Sequence, residues 1–182
     1  MYNISKLIST PSKTNEFGQS ALHIVSRIGD LNLLHLLLTR GANPNIIDEF
    51  EQTPLSIACI DMPNKIIVKL LLQYGADVNF KRKLHMDLFL ESVLSCHTQE
   101  HLDIINLLIE NGININMTDP LSNRNCMHFA ALNGNMDLAE LLLQNGAILD
   151  IRDNFGFTPI DVANNHKNFD VLTIFMSFLA FN

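Results

Sequence analysis

The sequence predicts an all-α solenoid of stacked helix-turn-helix units, and three observations lead there. A Leu-rich phrase closing on glycine recurs four times, as LLLTRGANPN (Leu36 to Asn45), LLLQYGADVN (Leu70 to Asn79), LLIENGININ (Leu107 to Asn116) and LLLQNGAILD (Leu141 to Asp150). Its glycines, Gly41, Gly75, Gly112 and Gly146, lie 34, 37 and 34 residues apart, a period that marks repeat architectures. A second phrase interlocks with the first: SALHIV from Ser20, TPLSIA from Thr53, NCMHFA from Asn125 and TPIDVA from Thr158. Finally, 47% of the residues are hydrophobic, with only 7% aromatic and Trp absent, so the apolar content is mostly Leu and Ile, as helical packing favours. That is ample for a continuous core in 182 residues.

Each unit then follows in order. The first helix starts at Ser20, Thr53, Asp87, Asn125 or Thr158, all residues whose side-chain oxygen can satisfy a free helix N–H. Pro54 and Pro159 follow at the first helical position, where the missing N–H costs nothing. Eleven residues before each glycine stand Asp30, Asn64, His101 and Asn135 as candidate caps of the second helix, three of them good ones. Within it, Leu33, Leu36 and Leu37, or Ile104, Leu107 and Leu108, have the spacing of one buried face. The glycine after it sits where a left-handed residue is expected. One unit cannot bury that face alone, so neighbours must stack.

These phrases resemble the ankyrin-repeat signature, D-x-x-G-x-T-P-L-H-x-A-A followed by a Leu-rich helix and G-A-D-V-N, over nearly all the chain from about Thr14 onward. The resemblance implies an ankyrin-repeat solenoid in a single domain, residues 1–182, with an N-terminal cap at 1–13 and repeats at about 14–46, 47–80, 81–116, 117–151 and 152–182. It implies that His23 and His128, at the His of T-P-L-H, hydrogen-bond between repeats. Asn45, Asn79 and Asn116, at the Asn of G-A-D-V-N, would tie the loops together, and in the family this Asn is sometimes hydroxylated. The function implied is protein binding, as an intracellular adaptor or inhibitor, rather than catalysis. The alternatives are an architectural segment of a larger protein or a host-directed viral or bacterial protein, toward which the many Asn and Ile codons of an AT-rich genome would point.

The third unit departs most from the pattern. It reads Asp87-Leu88-Phe89-Leu90 in place of T-P-L-H and carries about four extra residues, which the pattern places in a longer turn around Ser95 to Gln99. At the N-terminus, Ile4, Lys6, Leu7 and Ile8 read as the remnant of a Leu-rich helix. At the C-terminus, Val171, Leu172, Ile174, Phe175, Phe178, Leu179 and Phe181 are too apolar for a solvated cap, so this helix either folds over the last repeat or docks elsewhere, with self-association one option.

Several chemistries are disfavoured. A formal net charge of −7 opposes phosphate binding, which depends on Lys and Arg, so no nucleic acid is expected and a basic protein surface suits better. The run Lys81, Arg82, Lys83 reads as a local offset to Asp48, Glu49 and Glu51, or as a site for an acidic peptide. The eight glycines are largely taken by turns, and a phosphate-cradling loop is not among them. Cys96, His97 and His101 resemble half a zinc site, while closed sites need four ligands. No metal, cofactor or small-molecule substrate is therefore expected. Cys59, Cys96 and Cys126 fit free thiols in a reducing compartment, and apolar runs fall short of the roughly 20 residues that span a bilayer. Met1 to Thr10 lacks an apolar signal-peptide core, so the expected location is cytoplasmic or nuclear, with no membrane partner.

Candidate contact residues occupy positions that the repeat leaves free. The second x of D-x-x-G, at the hairpin tip, is Phe17, Phe50, Leu84, Leu121 and Phe155, every one apolar. On the first helix, the position after the His is Ile24, Ile57, Glu91, Phe129 and Val162, with Ile28, Ile60, Leu94 and Leu132 nearby. These apolar residues are the predicted partner-binding surface, unless they fold down and extend the core. Because a degenerate unit weakens both of its interfaces, amide hydrogen exchange is expected to be fastest within Met86 to Glu100, and uniform protection along the chain would contradict this.

Overall fold

In the computed structural model of the chain, residues 13–81 and 86–180 are described, together with the backbone alone of Phe181. The N-terminal residues Ile4, Lys6, Leu7 and Ile8, and also Arg82, Lys83 and Leu84, lie outside the described residues. The chain divides into two compact units, Met1–Lys83 and Leu84–Asn182.

The first unit holds two helix pairs. Helices α1 (Ala21–Ile28) and α2 (Leu31–Thr39) form the first, α3 (Pro54–Ser56, continuing to Asp61) and α4 (Lys65–Gln73) the second. The predicted starts are observed: Ser20, Thr53, Asp30 and Asn64 are the N-caps, and Thr53 and Asn64 accept from backbone N–H groups of the first turn. Capping contributes about 1 kcal/mol per helix. Full burial of one Leu or Ile contributes roughly 1.5–3 kcal/mol, so packing holds the pairs together and the caps set where helices begin. Leu22, Leu34, Leu37, Leu55, Ile67 and Leu71 are completely or almost completely buried.

Helix α3 changes its winding midway. From Thr53 to the next cap, Asn64, is eleven residues, against ten from Ser20 to Asp30. The additional residue is absorbed by a π-helical turn, Ile57–Asp61, closed by the Met62 N–H on the Ile57 carbonyl at 3.0 Å. Wider winding is the usual way a helix takes up one inserted residue without moving its neighbours.

The second unit holds three pairs: α5 (Leu88–Leu94) with α6 (Gln99–Glu110), α7 (Cys126–Asn133) with α8 (Met136–Gln144), and α9 (Pro159–Asn165) with α10 (Phe169–Phe181). Asp87, Asn125, Thr158 and Asn135 cap as expected. His101 does not stand at the head of α6. Thr98 does, accepting from the His101 N–H, and α6 has 12 residues where α2, α4 and α8 have nine. Most of the insertion predicted as a longer turn is thus another turn of helix, Gln99 to His101, begun by the Thr98 cap.

The buried stripe of the second helices is also turned by about one residue from the expected one. Leu34, Leu37 and Leu38 are buried in α2 while Leu33 and Leu36 are half-buried; in α6 it is Ile104, Ile105 and Leu108, with Leu107 half-buried. Each of these helices packs against its own partner and against the next repeat, which widens the covered arc. Gly41, Gly75, Gly112 and Gly146 all have φ between 80° and 83°, the left-handed stop the sequence predicts. At the C-terminal end α10 folds onto α7, α8 and α9, with Val171 and Phe175 fully buried, while Phe169, Met176 and Leu179 stay exposed on its outer side.

Asp87 has the extended backbone (φ −59°, ψ 147°) that a following proline requires. Leu88→Pro is therefore expected to change unfolding free energy by no more than about 1 kcal/mol, whereas a proline inside a helix costs about 3 kcal/mol or more. Chemical denaturation of the variant distinguishes the two.

Candidate protein-binding surface

The hairpins between repeats are built around one side-chain oxygen each. Asn15 Oδ1 accepts from the N–H groups of Phe17 and Gln19 at 3.0 and 2.9 Å. Asp48 Oδ1 accepts from Phe50 and Gln52, both at 2.9 Å. Asp153 Oδ1 accepts from Phe155 and Phe157 at 2.9 and 3.0 Å. Such a turn locks the backbone of the tip residue and leaves its side chain to point away. Phe17, Phe50 and Phe155 are accordingly 46, 56 and 75% exposed, and Leu121 is 85% exposed.

Neighbouring hairpins are tied to one another within each unit. In the first, the Glu49 N–H donates to the Phe17 carbonyl at 3.1 Å. Gly18 lies against this join: a Cβ there would stand 3.1 Å from Glu49 N and 3.3 Å from Asp48 Cα, and its φ of 70° already excludes most side chains. In the second unit, Asn154 donates from its backbone to Ser122 at 2.9 Å and from its side chain to the Leu121 carbonyl at 2.7 Å, and Asn123 Nδ2 reaches the Arg152 carbonyl at 2.8 Å. The tips of Phe17 and Phe50, and those of Leu121 and Phe155, are therefore held as pairs.

The inner-helix candidates divide. Ile57, Phe129 and Val162 are buried, at 0, 5 and 3% exposure, and belong to the core rather than to any contact surface. The first helix of a repeat is flanked by first helices of its neighbours, α1 by α3 and α7 by both α5 and α9, so the position after the His is covered. Ile24, Ile60 and Leu132 are half-buried. Only Ile28 and Leu94, at the C-terminal ends of α1 and α5, are exposed. Ile24 and Ile28 line a cavity of about 220 Å³ with Gln19, His23 and Arg27. Sequence reasoning missed Phe157, which is 42% exposed just before the Thr158 cap. Its signal was an aromatic residue where other repeats place Gln19, Gln52 and Arg124.

The histidines behave as the resemblance implies. The Ser20 N–H donates to His23 Nδ1 at 3.0 Å, so the proton sits on Nε2, which donates to the Gln52 carbonyl of the next repeat at 3.0 Å. His128 repeats this between the Asn125 N–H and the Phe157 carbonyl. Asn45 likewise spans Gly75 and Asp77, and Asn116 spans Gly146 and Ile148. The cysteines are free and buried; burial pushes the Cys96 thiol up to about 11 and Cys126 up to about 12, far from a reactive thiolate. Among the described residues, His, Cys, Asp and Glu side chains do not gather in groups of three or more that could hold a metal, and no helix is long and apolar enough to cross a membrane.

The geometry is that of a helical repeat protein whose ordered hairpins carry exposed apolar tips. A family model of ankyrin repeats (3 copies) matches residues 2–82 and 93–178, and the chain belongs to the ankyrin-repeat family. Ankyrin repeats are protein-protein interaction modules. The chain is 27% identical over 144 residues to an L-asparaginase of Dirofilaria immitis, covering 79% of this chain and 23% of that protein. It is 22% identical over 173 residues to the ankyrin repeat and KH domain-containing protein mask-1 of Caenorhabditis elegans, covering 95% and 6%. It is 28% identical over 155 residues to neurogenic locus notch homolog protein 1 of Mus musculus, covering 84% and 6%. The chain thus spans less than a quarter of the length of each of these relatives.

Burial lowers the pKa of His23 against the raising pull of the Gln52 carbonyl and Asp48, with Arg27 adding to the lowering. Burial does the same to His128 against the Phe157 carbonyl and Asp153, with Arg124 on the lowering side. A base whose folded pKa is depressed takes its proton more readily when unfolded. These bonds therefore contribute fully above the unfolded imidazole value of about 6.5, and stability falls as pH drops below it. Urea midpoints measured at about pH 7.5 and about pH 5.5 are expected to be lower at the acid end, and a flat profile would contradict the assignment.

Proposed function

We propose that the chain is an adaptor or inhibitor that binds a protein partner through its hairpin tips. The observation that carries this reading is the contrast at those tips: backbones fixed by side-chain and inter-hairpin hydrogen bonds, and large apolar side chains left in water. Ordering a contact residue costs affinity, and here that cost is already met in the free protein. Aromatic side chains near interface centres commonly contribute 2 kcal/mol or more. Phe50 in the first unit and Phe155 in the second are the anchors, supported by Phe17 and Leu121. Buried, unreactive thiols suit a reducing compartment, cytoplasmic or nuclear.

The short share of each relative that the chain covers supports a second reading, in which the same surface serves as an architectural segment of a larger assembly. Both readings place contact at the same tips. Phe50→Ala combined with Phe155→Ala is expected to weaken binding to a partner identified by affinity capture and mass spectrometry at least about tenfold, equivalent to about 1.4 kcal/mol. The melting temperature should hold. Unchanged affinity of the purified pair, or an equal loss of folding stability, would remove the tips from the interface.

A further inference from the structure

Asp48 and Asp153 each use Oδ1 to close the turn, which leaves Oδ2 for another donor. Asp153 Oδ2 receives Arg124 Nε at 3.0 Å, with the Asp153 side chain fully buried. Asp119 Oδ2 receives the backbone N–H and hydroxyl of Ser122 at 2.8 and 2.6 Å. Asp48 closes its turn just as Asp153 does, yet its Oδ2, buried in a residue only 5% exposed, has no hydrogen-bond partner among the described residues.

The reason lies one repeat upstream. Arg124 is the residue immediately before the helix cap Asn125, and the residue at the same place before Ser20 is Gln19. Gln19 is neutral and half-buried, and its side-chain oxygen is occupied by Asn15 Nδ2 at 3.2 Å. A buried carboxylate oxygen left unpaired is among the costliest defects a fold carries.

We propose that Asp48 is the receptor for an arginine side chain of the protein partner, which takes the place that Arg124 takes on Asp153. This rests on the hairpin-tip reading above and names the chemistry of its partner. The second unit shows that a guanidinium from the repeat position that Gln19 holds satisfies this carboxylate geometry. Gln19 is held by one side-chain bond and borders the cavity of about 220 Å³, so its amide has room to swing aside. Arg27, which also borders that cavity, is neutralised by Asp61 at 3.1 Å. Phe17 and Phe50, on the two joined tips, present aromatic faces on which a planar guanidinium stacks better than an ammonium does. The sequence Asp48-Glu49-Phe50-Glu51 and a formal charge of −7 complement a basic ligand.

The test uses N-acetyl-arginine-amide as probe, with its neutral isostere N-acetyl-citrulline-amide as control, read by amide shifts of Phe50 and Gln52 in the full chain. Saturable shifts with arginine, at least about tenfold weaker with citrulline, are expected. Asp48→Asn, which keeps the turn-closing oxygen, should abolish them. Gln19→Arg should abolish them too while raising the melting temperature, because the chain then fills the site itself. Equal shifts with citrulline, no saturable shift, or full arginine binding by Gln19→Arg would overturn the proposal. Since no partner protein is present, such a result removes the arginine site and leaves the hairpin-tip reading to its own test.

Discussion

Each helix pair of this chain has more apolar surface than it can cover by itself, and the rest of the structure answers that constraint. The inner face of α2 is closed only because α4 lies beside it, and α8 depends in the same way on α6 and α10. Solenoid stability is accordingly shared between repeats and their interfaces. This demands that successive pairs arrive at one spacing and one tilt, and the polar ties between repeats meet that demand. His23 and His128 on the first helices, and Asn45 and Asn116 after the second, each spend their side chains on backbone groups of the following repeat. Apolar packing is tolerant of small shifts; these directional bonds are not, and they fix the register.

The same division explains how irregular repeats are accommodated. One inserted residue in α3 becomes a π-helical turn and leaves the Asn64 cap in place. The larger insertion in the third repeat becomes helix, capped by Thr98. In both cases the inserted residues are taken up before the Leu-rich segment, so the residues that touch the next repeat keep their positions. Variation is absorbed where it does not disturb the stack.

The hairpins carry what the stack does not use. Their backbone polar groups are satisfied locally by Asn15, Asp48 and Asp153, and neighbouring tips are joined by main-chain bonds. With the backbone so determined, the tip residue has no structural task, and a hydrophobic side chain there is free to serve recognition. That the positions hold Phe, Phe, Leu and Phe in the described repeats, each exposed, is what the binding reading rests on.

Repeat number, fold class, the first-helix caps and the glycine stops were legible in the sequence, because each follows from local rules: a period, a capping side chain, a residue that tolerates positive φ. The exposed hairpin tips were legible as well, since the resemblance to the D-x-x-G signature puts its second x at the tip of the turn. Burial along the inner helices was not. Ile24 and Ile57 hold the same position of the repeat, yet Ile57 is buried and Ile24 only half-buried, a difference that the neighbouring repeats decide. The unpaired oxygen of Asp48 was likewise decided by what a residue 29 positions away, Gln19, failed to supply. Sequence alone determined what each repeat does within itself; the tertiary structure decided what passes between repeats, because burial and charge pairing depend on atoms that the chain brings together only by folding.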